Sequence, residues 1–250
     1  MNQAPARAGR IIAVASGKGG VGKTWFAITL AHALARHEMR VLLFDGDLGL
    51  ANVDVQLGIM PDRDVGEVVS GRMPLEQAVL HHDGGFDILP GRSGSGSLAS
   101  LAPPLLERVL AALRQATERY DAVIADLGAG IDRAQRRMAS FADTLLVIAT
   151  DEPTSLTDAY AVLKLHASDA GADARIVVNQ AGTVTAGERT FAALRRACSA
   201  FLGRSPVLAG VIRRDDRVRE AIRRQSLLLT RHPTTHAAAD VEAIASKLAA

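Results

Sequence analysis

A glycine-rich run with two lysines, Ser16-Gly17-Lys18-Gly19-Gly20-Val21-Gly22-Lys23-Thr24, has the residue types and spacing that bind phosphate. Its core fits the pattern G-x-x-x-x-G-K-[ST], in which backbone N–H groups surround a β-phosphate. Lys23 would reach the β- and γ-phosphates, and Thr24 would hold Mg²⁺. The run therefore predicts a nucleotide site whose contacts come from Gly17, Gly19, Gly20, Val21, Gly22, Lys23 and Thr24.

Carboxylates follow two other apolar segments. Asp45 and Asp47 come after Val41–Phe44, and Asp126 comes after Ala122–Ala125. At the carboxyl edge of a parallel sheet these groups would lie beside the γ-phosphate, where a carboxylate positions the attacking water or a water bound to Mg²⁺. Turn chemistry, which also favours Asp and Gly, is the alternative for Asp45 and Asp47. We predict that Thr24, Asp45 and Asp126 form the metal site, the aspartates acting through water.

The elements that must position these residues alternate along the chain. Continuous apolar runs predict strands near Ile11–Ala15, Val41–Phe44, Phe86–Leu89, Ala122–Ala125, Leu145–Ala149, Ile176–Val178 and Val207–Ile212. Helical spacing predicts helices over Trp25–His37, Pro104–Arg119, Ile131–Phe141, Leu156–Ala167, Glu188–Leu202, Asp216–Gln225 and His236–Leu248. The predicted fold class is α/β: a three-layer α/β/α arrangement around a mostly parallel twisted sheet, as in P-loop NTPases.

Bulk properties favour one cytoplasmic domain. The chain has 250 residues, 48% of them hydrophobic, and no apolar run near the ~18 residues of a membrane span. We expect a single domain over residues 1–250, with residues 1–9 as a flexible tail and residues 91–97 as a surface loop. Cys198 is the only cysteine, which excludes an internal disulfide and a paired-cysteine metal site within one chain; a buried thiol is expected.

Two segments raise the question of DNA or membrane binding. Six arginines lie close together in and before the predicted helix over Asp216–Gln225: Arg213, Arg214, Arg217, Arg219, Arg223 and Arg224. Because acidic residues stand between them, a solvated, salt-bridged helix is favoured over non-specific DNA binding. The last segment is alanine-rich with one lysine, which favours a helix docked on the core and weak or indirect membrane attachment.

The glycine-rich run also resembles a known family. Lys18-Gly19-Gly20-Val21-Gly22-Lys23-Thr24 is similar to the deviant Walker A loop of the MinD/ParA ATPases. Three further strings resemble the FlhG/FleN branch of that family: residues 45–54, residues 126–131, and Asp151-Glu152-Pro153-Thr154-Ser155-Leu156-Thr157-Asp158-Ala159-Tyr160. The resemblance implies slow, Mg²⁺-dependent hydrolysis of ATP by a homodimer that forms with ATP, in which Lys18 reaches the partner's phosphates.

The same resemblance assigns individual roles. Asp47 matches the switch I aspartate that orients water, Asp45 its neighbour near Mg²⁺, and Asp126 the Walker B residue. Asn179 matches the asparagine that reads the adenine edge. Arg213 stands where the family has proline in an Ile-Pro-x-Asp motif that ends here at Asp215. Trp25 replaces a small polar residue that touches the α-phosphate. Contact with the nucleotide and packing in the first helical turn or at the dimer face are both open for this indole.

The function implied by the FlhG/FleN branch is control of flagellar number, placement or gene expression. Its expected partners are an FlhF-like GTPase or a transcription activator, with a polar or peripheral membrane location reached through a partner. A ParA-like ATPase that positions DNA or cargo is the alternative. A metabolic ATP-dependent synthetase is third, because no substrate pocket is identified in the sequence.

Overall fold

The computed structural model of the protein describes residues 9–47, 51–91, 102–168 and 173–250. Its strands are β1 (Arg10–Ser16), β2 (Val41–Gly46), β3 (Leu80–His82), β4 (Phe86–Leu89), β5 (Ala122–Ala129), β6 (Thr144–Ala149), β7 (Ala174–Ala181) and β8 (Val207–Arg213). Its helices are α1 (Lys23–Arg36), α2 (Val53–Leu57), α3 (Val65–Val69), α4 (Leu75–Ala78), α5 (Pro103–Ala116), α6 (Arg133–Phe141), α7 (Pro153–Ser168), α8 (Val184–Leu202), α9 (Asp216–Arg223), α10 (Leu228–Arg231) and α11 (His236–Ala249).

The described strands form one sheet in the order β3-β4-β2-β5-β1-β6-β7-β8. Every neighbouring pair is parallel except β3 with β4. Strand β1 lies inside the sheet between β5 and β6, so the loop that follows β1 has a strand end on either side. This position brings residues from β2 and β5 to the same edge as the glycine-rich run.

Helices cover both faces of the sheet, as the continuous apolar strands require. Alternate residues of β1 enter different apolar clusters: Ile11 and Ala13 pack with residues of α5, α6, α7 and α8, whereas Ile12 and Val14 pack with residues of α1, α2, α10 and α11. The predicted three-layer α/β/α fold with a mostly parallel sheet is confirmed.

The seven predicted strands and seven predicted helices all occur, with boundaries that shift by a few residues. The elements that were not predicted are β3 and the short helices α2, α3, α4 and α10, which have three to five residues each. Segments this short give no measurable periodicity. Residues 1–8 of the predicted tail and residues 92–97 of the predicted surface loop lie outside the described residues.

The C-terminal helix is docked on the core, as predicted. Val241, Ile244 and Leu248 of α11 are buried in the cluster that contains α1. At the edge of the sheet, Lys247 Nζ donates to the backbone oxygen of Ala209 in β8 over 3.2 Å. Cys198 is buried in α8, which confirms the expected buried thiol.

Within the described ranges, no helix combines the length and the apolar character that crossing a bilayer requires.

Candidate nucleotide-binding site

Six residues, 17–22, connect the end of β1 to the start of α1. Gly20 and Gly22 adopt φ angles of 79° and 90°, a left-handed conformation that favours glycine. Gly22 is also the N-cap of α1 and offers no side chain to the first N–H groups of the helix. Those N–H groups and the positive end of the helix dipole therefore face the loop, which is the arrangement that binds phosphate.

The first helical residues bring a cation and a hydroxyl to this loop. Lys23 is buried, and its charge acts on Asp126 of β5. The Thr24 hydroxyl hydrogen-bonds to the same carboxyl group. Lys23, Thr24 and Asp126, which the sequence placed in one site, thus lie together beneath the loop.

Asp126 is a buried carboxylate with unused bonding capacity. Its residue is 1% exposed, and Oδ1 has no hydrogen-bond partner among the described residues. Burial raises the pKa of Asp126 to about 7, with smaller opposing effects from Thr24 and Lys23 and a further increase from the charge of Asp45. A carboxylate oxygen next to a threonine hydroxyl is the donor set that Mg²⁺ uses in P-loop proteins, so the residues present fit that ion.

Asp45 lies beside Asp126, because the two residues pair across β2 and β5. Its carboxylate accepts hydrogen bonds from the backbone N–H groups of Asp47, Asn52 and Val53, over 3.2, 3.0 and 3.0 Å. Burial raises the pKa of Asp45 to about 6, against the effect of these hydrogen bonds. In this structure the carboxylate holds the start of α2, a role that the sequence did not suggest.

Asp47 lies across from the segment that follows Asp126. A Cβ added at Gly128 would meet Asp47 Oδ1 at 3.1 Å and Gln135 Nε2 at 2.6 Å. Gln135 in turn forms a capping box with Asp132 at the start of α6. The predicted water-orienting aspartate therefore packs against a glycine and a helix N-terminus, and the sequence reasoning had not singled out Gln135.

The side chain of Lys18 is held by two residues at the start of α7. Its ammonium group forms an ion pair with Glu152 and donates to Thr154 Oγ1 over 3.1 Å. Ser16 Oγ donates to the Lys18 backbone oxygen over 2.7 Å. The string from Asp151 to Tyr160, which resembles the FlhG/FleN branch, therefore contains the two side chains that bind the ammonium group of Lys18.

A cavity of about 320 Å³ adjoins the loop on the side of β7, β8 and α9. Its lining contains half of the residues assigned to nucleotide contacts: Gly20, Gly22, Trp25, Asn179, Arg213 and Asp215. The volume is that of a small-molecule site. Loop residues predicted to contact the phosphates, Gly20 and Gly22, therefore line the same cavity as Asn179, which is predicted to contact the base.

Asn179 joins this cavity to the loop. Its Nδ2 donates to the Val21 backbone oxygen over 2.8 Å, and its Oδ1 accepts from the Gln180 N–H over 2.9 Å. Gln180 has a φ of 58°, which is uncommon for a residue other than glycine. Asn179 thus has a structural task in addition to the predicted contact with adenine, and Gln180 is a cavity residue that the sequence did not identify.

Arg213 lines the cavity but is bound to α11. Its backbone N–H and its guanidinium both donate to the Asp240 carboxylate, over 2.7 to 2.9 Å. The side chain predicted near the base is therefore directed to the C-terminal helix. No pattern in the sequence connects Arg213 with Asp240.

The arginines near α9 divide into two groups. Arg213 pairs with Asp240, and Arg217 pairs with Glu220, which confirms part of the predicted salt-bridged helix. Four others are exposed and form no ion pair with a described residue: Arg214, Arg219, Arg223 and Arg224.

Comparison with known proteins identifies the family. Residues 12–228 match the CobQ/CobB/MinD/ParA nucleotide binding domain. The chain belongs to this family. It is 38% identical over 240 residues to the antiactivator FleN of Pseudomonas aeruginosa, covering 96% of this chain and 86% of FleN. It is also 29% identical over 160 residues to the flagellum site-determining protein YlxH of Helicobacter pylori, covering 64% of this chain and 54% of YlxH.

The fold agrees with that assignment. The structure of the septum site-determining protein MinD with Mg-ADP from Pyrococcus horikoshii superposes with a TM-score of 0.78 at 23% identity, covering 96% of this chain and 95% of that one. These comparisons confirm the resemblance to MinD/ParA proteins and to the FlhG/FleN branch, which was based on residues 18–24 and the three other strings.

Proposed function

We propose that this protein is an ATPase switch that binds ATP with Mg²⁺, dimerises around it and regulates flagellar number, placement or gene expression. The observation that carries the proposal is Asp126, a buried carboxylate beside Thr24, Lys23 and the open N-terminus of α1, with one oxygen that no described residue hydrogen-bonds. The similarity of the protein to FleN, which extends over 96% of this chain, supports a regulatory role in the flagellar system.

The residues of the loop have separate tasks in this proposal. The N–H groups of residues 17–22 and the start of α1 bind the β-phosphate, and Lys23 neutralises the β- and γ-phosphates. Thr24 and Asp126 hold Mg²⁺, with Asp45 behind them. Bound Mg²⁺ would neutralise charge on the phosphate oxygens.

Hydrolysis depends on Asp47 in this scheme. Its carboxylate lies opposite Gly128, between the segments that follow β2 and β5, where it can accept a hydrogen bond from water. Positioning by one carboxylate supplies only part of a hydrolytic site, which supports slow turnover suited to a switch.

Lys18 is the residue that connects ATP to dimerisation. It is partly exposed and bound by Glu152 and Thr154 of its own chain. In the proposed dimer it leaves these partners and binds the phosphates of the nucleotide in the other subunit. The phosphates offer more negative charge than one carboxylate, so ATP favours the exchange.

The Asp47→Ala variant tests the switch. Without water positioning, ATP remains bound, and we expect a stable dimer with ATP and a monomer with ADP by size-exclusion chromatography with light scattering. Lys18→Ala and Lys23→Ala should stay monomeric with ATP. A monomeric Asp47→Ala protein at saturating ATP would contradict the proposed dimer.

Partner capture tests the output. Immobilised Asp47→Ala protein with ATP, compared with ADP, should retain a transcription activator or an FlhF-like GTPase of the flagellar system. The activator is the first candidate because FleN is described as an antiactivator. Recovery of chromosomal DNA instead of flagellar proteins would replace this proposal with the one below.

A DNA-positioning ATPase is the second candidate, and the four exposed arginines that pair with no residue of the described ranges favour it. A dimer would present two such clusters, and binding through phosphate contacts weakens steeply with salt. Filter binding of duplex DNA at low and moderate salt, with ATP and with ADP, measures this. ATP-dependent retention that Arg223→Glu with Arg224→Glu abolishes would support it.

A further inference from the structure

Trp25 is the only tryptophan of the chain, and it lies in the first turn of α1, directly after Thr24. The residue is 6% exposed, yet it also lines the cavity beside the loop. Ile212 belongs to the same apolar cluster, and Val218 and Ile222 pack against it. These four side chains give the cavity an apolar wall built from α1, α9 and the end of β8.

The same cavity also has polar groups. Asn179 and Gln180 are among its lining residues, and the side-chain amide of each carries donors and an acceptor. The backbone of Gln180 is held in its left-handed conformation by the hydrogen bond to Asn179 Oδ1. A planar apolar surface together with amide groups is suited to a ring that has apolar faces and a polar edge, as a nucleoside base has.

The indole has unused bonding capacity. Trp25 Nε1 is buried and has no hydrogen-bond partner among the described residues. The phosphate positions are served by the loop N–H groups and Lys23, whereas the indole offers one donor on a large apolar ring. Its chemistry therefore matches the nucleoside better than the phosphates.

We propose that the Trp25 indole contacts the nucleoside of the bound nucleotide and gives the site its preference for a nucleotide over inorganic polyphosphate. The inference rests on the proposed nucleotide site and adds a selectivity residue to it. It assigns to Trp25 a contact different from the α-phosphate contact of the small residue that relatives carry at this position.

Emission from the single tryptophan tests the contact in the unaltered protein. ADP with Mg²⁺ should change the intensity or wavelength of Trp25 emission in a saturable way. Inorganic tripolyphosphate, which offers phosphates without a nucleoside, should bind at the loop and leave the emission nearly unchanged. Equilibrium dialysis with labelled ADP, and competition by tripolyphosphate, measures both affinities independently of fluorescence.

Two variants separate the contact from packing. Trp25→Leu, which removes the aromatic ring and the N–H donor without adding a polar group, should weaken ADP binding about tenfold and change tripolyphosphate binding by less than about twofold. Trp25→Phe keeps an aromatic surface and should retain most of the affinity for ADP. Phe26→Leu is the matched control: its residue is also buried in α1 but does not line the cavity. It should lower stability without changing the ratio of the two affinities.

The outcomes distinguish this inference from the proposed function. ADP binding with unchanged emission, or Trp25→Leu with equal losses for ADP and tripolyphosphate, overturns the role of Trp25 and leaves the ATPase proposal standing. Failure of the unaltered protein to bind ADP overturns both. If Trp25→Leu does not fold, the emission of the unaltered protein and the affinities of Trp25→Phe decide the question.

Discussion

The carboxyl group of Asp126 lies beneath the nucleotide loop, almost without solvent contact. Its Oδ1 has no partner in the described part of the chain, and a buried carboxylate in that condition favours its protonated form. A cation bound beside Thr24 would reverse this preference. The ionised Asp126 carboxylate therefore makes the protein less stable when no cation is bound. The same carboxylate can ligate a cation without first breaking a hydrogen bond between its Oδ1 and a described residue.

Asp126→Asn should stabilise the protein in the absence of Mg²⁺. The pKa of Asp126 is raised from 3.8 to about 7 in the folded chain, so the folded state binds the proton more tightly than the unfolded state does. Its contribution to the free energy of unfolding consequently falls as pH rises from about 4 to about 7. We expect the variant to exceed the unaltered protein by roughly 2–4 kcal/mol at pH 8 and to lose this advantage near pH 4.

Urea unfolding of both proteins without Mg²⁺, from pH 4 to pH 8, measures this difference. The comparison is needed because His32 acts in the opposite direction: burial lowers its pKa to about 4, so its contribution rises with pH. The substitution leaves His32 in place, so the contribution of His32 cancels in the difference between the proteins, which then reports Asp126 together with its coupling to Asp45. A constant difference across the range would show that Asp126 does not titrate there.

The nucleotide-binding loop packs against helix α7. Gly17 lies against the backbone of this helix, since a Cβ at Gly17 would meet the Asp158 oxygen at 2.5 Å. Gly19 is open, with nothing within 4 Å of an added Cβ. The first glycine therefore sets the distance between loop and helix, while the second leaves room for a ligand.

Gly17→Ala and Gly19→Ala form a matched pair. The first must displace backbone atoms of α7, and we expect a loss of about 1–3 kcal/mol in the free energy of unfolding by urea. The second should leave this free energy within about 0.5 kcal/mol of the starting value, because the site is exposed and open. Equal effects of the two substitutions would contradict the packing of Gly17 on α7.

The ion pair of Lys18 with Glu152 is the second connection to α7. Glu152→Gln should leave the unfolding midpoint unchanged because the pair is exposed. It should lower the ATP concentration for half-maximal dimerisation about threefold, since Lys18 no longer has to leave a carboxylate. Light scattering over an ATP titration measures this. Glu76→Gln, which breaks the exposed pair with Arg119 far from the loop, is the control and should change neither value.

Local patterns predicted the parts of the site that adjoin one another in sequence. Residues 17–24 predict a phosphate-binding loop. The apolar runs before Asp45 and Asp126 predict that the two carboxylates lie at the same edge of the sheet, and the two residues do pair there. The bonds that decide what each group does join distant residues: Lys18 to Glu152, and Asn179 to Val21, 158 positions apart. A single sequence does not specify which distant residues will form such pairs.

The proposed dimer makes the thermal stability of the protein depend on protein concentration. For Asp47→Ala with Mg²⁺ and ATP, the midpoint of thermal unfolding should rise when protein concentration is increased tenfold, because dimerisation stabilises only the folded state. With ADP the midpoint should stay constant. Differential scanning calorimetry at two concentrations checks this, and equal shifts with ADP and ATP would argue against nucleotide-controlled association.

The contact between Lys247 and β8 bears on how large an assembly can grow. Strand β8 lies at one edge of the sheet, and an edge strand with open backbone groups can add strands from other molecules. Lys247 occupies the Ala209 carbonyl oxygen and brings a charge to that edge. With strand addition discouraged there, association through the nucleotide loops would close on itself as a pair and would not extend into a filament.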